Sequence, residues 1–132
     1  MILGRIAIQG RINAYLNDKV TLCRLGAPLL FAYDANTFLR RLRGLHGLPP
    51  LGPTDALIIR PCTSIHTFGL KQPIDIIFLN RDGIILKKAS VVPQRATVCW
   101  GATIVVEMAH GTADRLGLAV GQQFLPVQGQ WE

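Results

Sequence analysis

Cysteine and long apolar runs are both scarce in this chain of 132 residues, and each scarcity excludes a class of protein. The three cysteines are an odd number and form no CxxC pair, which argues against a disulfide framework and favours reduced thiols. No run approaches the roughly 18 apolar residues that a membrane-spanning helix needs. The opening letters MILGRIAIQGR lack the basic-then-apolar pattern of a secretion signal, because glycine, arginine and glutamine interrupt the apolar positions. We therefore expect a cytoplasmic protein without a membrane span.

Acidic residues are few as well: 8 Asp and Glu residues stand against 14 Lys and Arg residues, a formal net charge of +6. A basic surface attracts polyanions such as nucleic acid, acidic lipid or phosphate. The basic residues are spread thinly, however, and only Arg40, Arg41 and Arg43 form a local cluster. That cluster is interpreted either as a solvated helix face or as a binding site for phosphate or an acidic partner. The charge balance therefore favours general solubility over nucleic-acid binding.

Internal repeats and low-complexity segments are absent too, and disorder is excluded. The hydrophobic fraction is 49% and the charged fraction is 17%, so the chain can bury a core. The length is usual for one domain, and we predict a single domain over residues 1–132. Residues 1–18 have a weaker pattern and are interpreted as a loose N-terminal arm or an edge strand.

Short strands separated by turns account for most of the remaining chain. Apolar and β-branched runs predict strands over 20–24, 29–33, 56–60, 64–68, 74–79, 84–92, 102–108 and 123–127. Helices are predicted over 35–43 and over 111–116, the second with Thr112 as its cap. The sequence Asn80-Arg81-Asp82-Gly83 predicts a hairpin turn, because Asp-Gly supplies the positive φ that such turns need. The pattern indicates a mainly β (α+β) fold, an antiparallel β-sandwich or barrel-like sheet with one or two short helices.

Asp75 is the most informative polar residue, because it interrupts the apolar run 74–79. A carboxylate in a buried strand must be paired or hydrogen-bonded, since an isolated buried charge is strongly destabilising. Two interpretations stay open: a polar pocket in which Asp75 is a base or a ligand anchor, and a structural Asp held by backbone N–H groups or a cation. Arg43 and Lys71 are the expected partners.

His66 is the second candidate, with Ser64 and Cys62 two and four positions before it. Alternate residues of a strand share a face, so the three side chains are predicted to lie together. Two potential ligands do not make a zinc site, and no third residue is identifiable that would orient a Cys-His nucleophile pair. We therefore predict no metal and no cofactor, and interpret His66 as a polar residue at the edge of a cleft. The candidate pocket or binding residues are Arg43, His66, Lys71 and Asp75.

Several short motifs follow one another in order along residues 38–127. They are RGL at 43–45, a proline-rich loop, DALII at 55–59, PCTSIHTFGL at 61–70, PIDIIFL at 73–79, DG at 82–83, GTA at 111–113, LGL at 116–118 and VG at 120–121. In this order they resemble the bacterial family called domain of unknown function 192. The resemblance implies a small β-sandwich-like domain with a short helix and no established activity. Many members have a Trp-Met-basic-Asn-Thr stretch where this chain has residues 66–71, so chemistry that relied on that Trp or Asn is in doubt here.

Three functions follow from these observations. The leading hypothesis is a non-catalytic binding or accessory module for a protein or a small anionic ligand, because no catalytic constellation is evident. The resemblance implies a link to cell-envelope or pilus assembly, since some relatives are secreted or encoded near pilus-assembly genes. One alternative is a small hydrolase or isomerase with Asp75 and His66 in one pocket. The other is a basic nucleic-acid-binding module, because 111–121 is similar to the last turn of swapped-hairpin DNA-binding domains, although those are much shorter.

Overall fold

Strands dominate the part of the chain that the computed structural model describes, which is residues 19–34, 51–67, 70 and 72–131. The elements in chain order are β1 (Lys19–Arg24), β2 (Ala27–Asp34), β3 (Asp55–Ile59), β4 (Ser64–His66), β5 (Ile74–Leu79), β6 (Ile85–Val91), β7 (Ala96–Val98), β8 (Ile104–Ala109), α1 (Thr112–Arg115) and β9 (Leu125–Pro126). The predicted mainly β class with a short helix is confirmed. Every predicted strand is present, and its ends lie within two residues of the expected ones.

Seven of these strands form one mixed sheet in the order β6-β5-β8-β3-β2-β1-β9, and β4 and β7 form a separate two-stranded sheet, called the ribbon below. All strand pairs of the sheet are antiparallel except β2 and β3, which are parallel. Parallel neighbours need a connection of roughly a dozen residues or more. Residues 35–54 supply that length. The expectation of an antiparallel sheet therefore holds everywhere but at this one pair.

Strand β5 lies between β6 and β8 and is buried along its whole length. Because successive side chains of a strand point to opposite faces, β5 contributes to two apolar clusters. On the first face, Ile77 and Leu79 belong to a cluster that also includes Ala113 at α1. On the second face, Ile76 and Phe78 belong to a cluster against which the ribbon packs. Burial of each of the four β5 side chains, Ile76, Ile77, Phe78 and Leu79, contributes about 1.5–3 kcal/mol to the free energy of unfolding.

Thr67 closes the ribbon just after β4. Its buried hydroxyl donates to the carbonyl of Val92 at 2.7 Å and accepts the N–H of Arg95 at 2.9 Å. Its backbone N–H donates to the Arg95 carbonyl at 2.8 Å. A single side chain therefore fixes the connection between β6 and β7.

Two local features differ from the expectations. Strand β7 was not predicted, because three residues are too few for an alternating pattern to be visible. The cap of α1 is Gly111, with φ of 89° and no side-chain cap hydrogen bond, whereas Thr112 is buried inside the first turn. Separately from these two features, Trp131 is anchored, because its indole N–H donates to the Phe124 carbonyl at 2.8 Å.

Several predictions fall outside the described residues. These are the arm over 1–18, the helix over 35–43 with Arg40, Arg41 and Arg43, and the residue Lys71. The single domain over 1–132 stays a prediction. Within the described ranges, no helix has the length and apolar character required to cross a bilayer.

Gly83 provides a test of the close packing between the β5–β6 turn and the C-terminal segment. A Cβ atom at Gly83 would lie 2.7 Å from the Phe124 carbonyl oxygen, and φ there is +81°. The control is Gly121, which has φ of +93° but open space around it. We expect Gly121→Ala to lower the free energy of unfolding by about 1–2 kcal/mol, from backbone strain alone. Gly83→Ala should lose about 1–3 kcal/mol more from overpacking, as measured by urea unfolding. Equal losses would contradict the close approach.

Candidate functional site

Both oxygens of the Asp75 carboxylate accept hydrogen bonds from the protein itself. Asp75 lies on the first face of the sheet, 1% exposed, opposite Ser90 of β6 and Met108 of β8. Ser90 Oγ donates to Oδ1 at 2.7 Å, and the backbone N–H of Ala113 donates to Oδ2 at 3.0 Å. The prediction that Asp75 must be hydrogen-bonded is confirmed. The observed donors are a hydroxyl and a backbone N–H, whereas the expected partners Arg43 and Lys71 lie outside the described residues.

A histidine does contact Asp75, but it is His110 and not His66. His110 Nδ1 lies 3.4 Å from Asp75 Oδ1, and its side chain is 58% exposed. The antiparallel pairing of β5 and β8 places Ala109 opposite Ile74, and this brings His110 beside the carboxylate. No local sequence pattern signals such a register. Ser90 donates to the carboxylate, so its hydroxyl proton is directed away from the imidazole and the arrangement is not a Ser-His-Asp nucleophile site.

A surface ion pair borders this polar cluster. Lys88 Nζ lies 2.6 Å from Asp114 Oδ1. The hydrogen bond and charge of Lys88, and to a lesser degree His110, lower the pKa of Asp114. Because the Asp114 side chain is mostly exposed, solvent screens the pair and it contributes little to stability.

His66 belongs to the ribbon and faces solvent, in a different sheet from Asp75. In β4, Ser64 and His66 pair with Val98 and Ala96 of β7, and directly opposite residues share a side of the ladder. All four are exposed, whereas Ile65 between them packs on the second-face cluster. Cys62 does not share this exposed side, because it is half-buried against the same cluster. The predicted common face therefore holds for Ser64 and His66 only.

Trp100 lies at the end of the ribbon and is 82% exposed. The N–H of Cys99 donates to the Thr63 carbonyl at 2.9 Å and extends the ribbon ladder by one residue. A turn with positive φ at Gly101 then reverses the chain, so Trp100 is at the tip. Val98, two residues earlier, is 39% exposed. The ribbon face is defined here as Ser64, His66, Ala96, Val98 and the adjacent Trp100.

The two stretches of sequence that carry the ribbon strands are cationic. Residues 56–74 and 83–106, which include both ribbon strands, contain no Asp or Glu. The same two stretches contain five cationic residues, Arg60, Lys71, Lys87, Lys88 and Arg95. Two of them lie against other parts of the structure, since Lys88 pairs with Asp114 and Arg60 stacks on Trp131. Lys87 Nζ donates to the Val98 carbonyl at 3.0 Å, which places an ammonium group directly against β7.

Glu107 is a second buried carboxyl, on the opposite face of the sheet from Asp75. It lies in β8 between Leu57 of β3 and Ile76 of β5 and is 3% exposed. Within the described part of the chain, its Oε2 has no hydrogen-bond partner. Burial raises the pKa of Glu107 to about 7. Sequence reasoning missed it, although it interrupts the apolar run 104–108 just as Asp75 interrupts its own run.

Metal ligands do not converge in the described ranges, where no group of three or more His, Cys, Asp or Glu side chains could hold an ion.

Comparison with known proteins gives a family match and a fold match. The model of the domain of unknown function 192 family, described as an uncharacterized ACR, matches residues 29–125. A curated UPF0127 protein of Thermococcus sibiricus is 35% identical over 96 residues, which are 67% of this chain and 61% of that protein. The chain therefore spans about three fifths of that relative.

Two crystal structures share the fold. One is a protein of unknown function from Novosphingobium aromaticivorans, with a TM-score of 0.68 and 25% identity over 80% of this chain and 82% of that one. The other is a "putative transcription regulator" from Sinorhizobium meliloti 1021, with a TM-score of 0.69 and 21% identity over 82% of this chain and 92% of that one. At that identity, the second likeness shows the fold alone.

Ser90 tests the hydrogen bonding of Asp75. Ser90→Ala removes the hydroxyl donor to Oδ1, and a hydrogen bond to a charged group contributes about 1.5–3 kcal/mol. We expect a loss of that size in the free energy of unfolding, measured by urea titration. Ser64→Ala is the matched control, since Ser64 is exposed on the ribbon face, and should change stability by no more than about 0.5 kcal/mol. Equal effects of the two variants would contradict the assignment.

Glu107 predicts a specific pH dependence of stability. Because folding raises the pKa of Glu107 from 4.5 to about 7, the folded state binds more protons than the unfolded state between these pH values. The contribution of this group to the free energy of unfolding should fall as pH rises through that window and then stay level. Glu107→Gln should remove the slope and stabilise the protein above pH 7 by up to about 3 kcal/mol. Urea unfolding of the parent and the variant at pH 5 and pH 8 measures how the free energy of unfolding changes with pH. An identical change in both proteins would refute the prediction.

Proposed function

Because the chain belongs to the domain of unknown function 192 family, which is described as uncharacterized, we propose its function from its own surface: a non-catalytic module that binds an acidic protein segment on the ribbon face. The observation that carries this proposal is the exposure of Trp100, at 82%, beside exposed Val98 in a cationic stretch of the chain. Tryptophan is among the residues most enriched at the centres of protein interfaces.

The ribbon face combines apolar and cationic groups in a way that suits an acidic protein. Burying Trp100 and Val98 against a partner would remove apolar surface from water, which is the main driving force of association. The neighbouring Lys87 and Arg95 would attract carboxylates and repel basic partners, which favours specificity and fast association. Two further residues that the sequence predicted as binding residues, Lys71 and Arg43, remain part of the proposal. Lys71 belongs to the same acid-free stretch of the sequence, whereas Arg43 lies before it.

A protein partner fits this face better than a nucleic acid does. Single-stranded nucleic acids bind to aromatic side chains on which successive bases stack, together with cations that track the phosphates. Here the ribbon face offers one tryptophan beside the aliphatic Val98 and Ala96, which suits the stacking of successive bases poorly. Nucleic-acid binding is accordingly an outcome to be tested.

The surroundings of Asp75 favour binding over catalysis. Both of its carboxylate oxygens accept hydrogen bonds from the protein, and His66 lies in another sheet. A hydrolase or isomerase built on Asp75 would have to use His110 in place of His66, without an activated serine beside it. The association with the cell envelope or with pilus assembly stays a prediction from the family resemblance.

The ribbon face can be tested with a defined acidic probe. A fluorescent 12-residue peptide of alternating Glu and Leu should bind the full chain, as measured by fluorescence anisotropy, and a Lys-Leu peptide should not. Trp100→Ser and Val98→Ser should weaken binding, the first by about ten-fold, as expected for loss of an aromatic anchor. Leu25→Ser is the control, because Leu25 is 98% exposed at the β1–β2 turn, which belongs to the seven-stranded sheet and not to the ribbon.

Two results would contradict the proposal. One is an equal loss of affinity in Leu25→Ser, which would indicate nonspecific adhesion. The other is preferential binding of a single-stranded oligonucleotide with an affinity that falls steeply with salt, which would support the nucleic-acid alternative.

A further inference from the structure

A shallow polar cleft of about 220 Å³ lies where the β5–β6 turn meets the segment after β9. Its lining includes Arg81 and Asp82 from the turn, Gln123 before β9, and Gln130 and Trp131 from the C-terminal segment. The volume is below the roughly 300–1,000 Å³ of sites for drug-sized ligands, so the cleft suits a smaller molecule. It is separate from the ribbon face, because the two share no residue.

The walls of this cleft are held by hydrogen bonds. Gln123 Nε2 donates to the Asp82 carbonyl at 2.9 Å, which joins the two sides. Asn80 Oδ1 accepts the backbone N–H groups of Asp82 at 2.9 Å and Ile84 at 3.0 Å, which fixes the turn. The Arg60 guanidinium lies 5.6 Å from the Trp131 ring centroid and holds the ring from another strand end. A ligand would therefore enter a preorganised site.

Opposite charges line the cleft without neutralising each other. Arg81 and Asp82 are both exposed, and no ion pair joins them within the described part of the chain. Because both residues line the same cleft, an anion bound to the Arg81 guanidinium would share the cleft with the Asp82 carboxylate, and a cation bound to Asp82 would share it with Arg81. A ligand with one charge is thus attracted by one residue and repelled by the other, whereas a ligand with both charges satisfies both.

We propose that this cleft binds a small zwitterion, a free α-amino acid, with its carboxylate on Arg81 and its ammonium group on Asp82. Arginine is well suited to a carboxylate because its planar guanidinium donates two parallel hydrogen bonds. The Gln130 amide adds a polar group at the rim, and Leu125 adds an apolar contact for the ligand side chain. Since both ion pairs are exposed, the dissociation constant is on the order of 1 mM.

Titration of the full chain with alanine, followed by ¹H–¹⁵N NMR, tests the proposal. Alanine should cause saturable shifts at the backbone N–H groups of Arg81, Asp82 and Gly129 and at the Trp131 indole N–H. Two analogues separate the charges: N-acetylalanine keeps the carboxylate alone, and alanine methyl ester keeps the ammonium group alone. Each should bind at least about ten-fold more weakly than alanine.

Variants of the two charged residues give a signature that a general surface effect would not. Arg81→Gln should abolish the shifts with alanine. Asp82→Asn should weaken alanine binding but improve binding of N-acetylalanine, because the repulsion of its carboxylate is removed. Asn-Gly supports a hairpin turn as well as Asp-Gly does, so this variant should keep the fold. Arg115→Gln is the matched control, an exposed arginine outside both the cleft and the ribbon face, and should bind as the parent does.

Three outcomes would overturn the proposal. They are the absence of saturable shifts at tens of millimolar alanine, equal binding of alanine and both analogues, and a loss in Arg115→Gln as large as that in Arg81→Gln.

Discussion

Burial of strand β5 on both faces is the constraint on which the rest of the structure depends. Its side chains alternate between two apolar clusters, so other elements must cover both sides of the sheet at this strand. Helix α1 does so on the first face and the ribbon on the second. The one carboxylate in the strand adds a further requirement, because donors must reach it. Ser90 of β6 and the N–H of Ala113 in α1 meet that requirement, and these hydrogen bonds help to fix the positions of β6 and α1 relative to β5.

The sheet accommodates its two buried carboxyls in different ways. Asp75 receives hydrogen bonds on both oxygens, from the Ser90 hydroxyl and from the Ala113 backbone N–H. Glu107 has an oxygen without a partner in the described part of the chain, and desolvation raises its pKa, so it is accommodated as a neutral acid at low pH. Both residues look alike in the sequence, where each interrupts an apolar run. The difference arises from their faces: α1 brings a free backbone N–H to the first face, whereas Leu57 and Ile76 flank Glu107 on the second.

Much of the fold could be predicted from the sequence, because period-2 patterns and the Asp82-Gly83 turn are local signals. The need of Asp75 for donors also followed from local chemistry. Its actual donors did not, since Ser90 and Ala113 lie 15 and 38 residues away and are brought near by strand register alone. His66 was proposed to share a pocket with Asp75, but it lies in the ribbon, which is a separate sheet from the one that contains Asp75. The exposure of Trp100 could not be predicted from the sequence either, because a tryptophan next to a strand is usually expected to be buried.

The ribbon has a thermodynamic consequence of its own. A two-stranded antiparallel pair is only marginally stable in isolation. The ribbon therefore depends on contacts of Ile65 and Cys99 with the second-face cluster and on the hydrogen bonds of Thr67 to the β6–β7 connection. Breaking those contacts would release the ribbon while leaving the seven-stranded sheet hydrogen-bonded. The ribbon is therefore expected to be an independent opening unit, whose amide protons exchange with solvent well before those of β5. A partner seated on the ribbon face would slow that exchange, so binding and local folding would be thermodynamically linked at this one element.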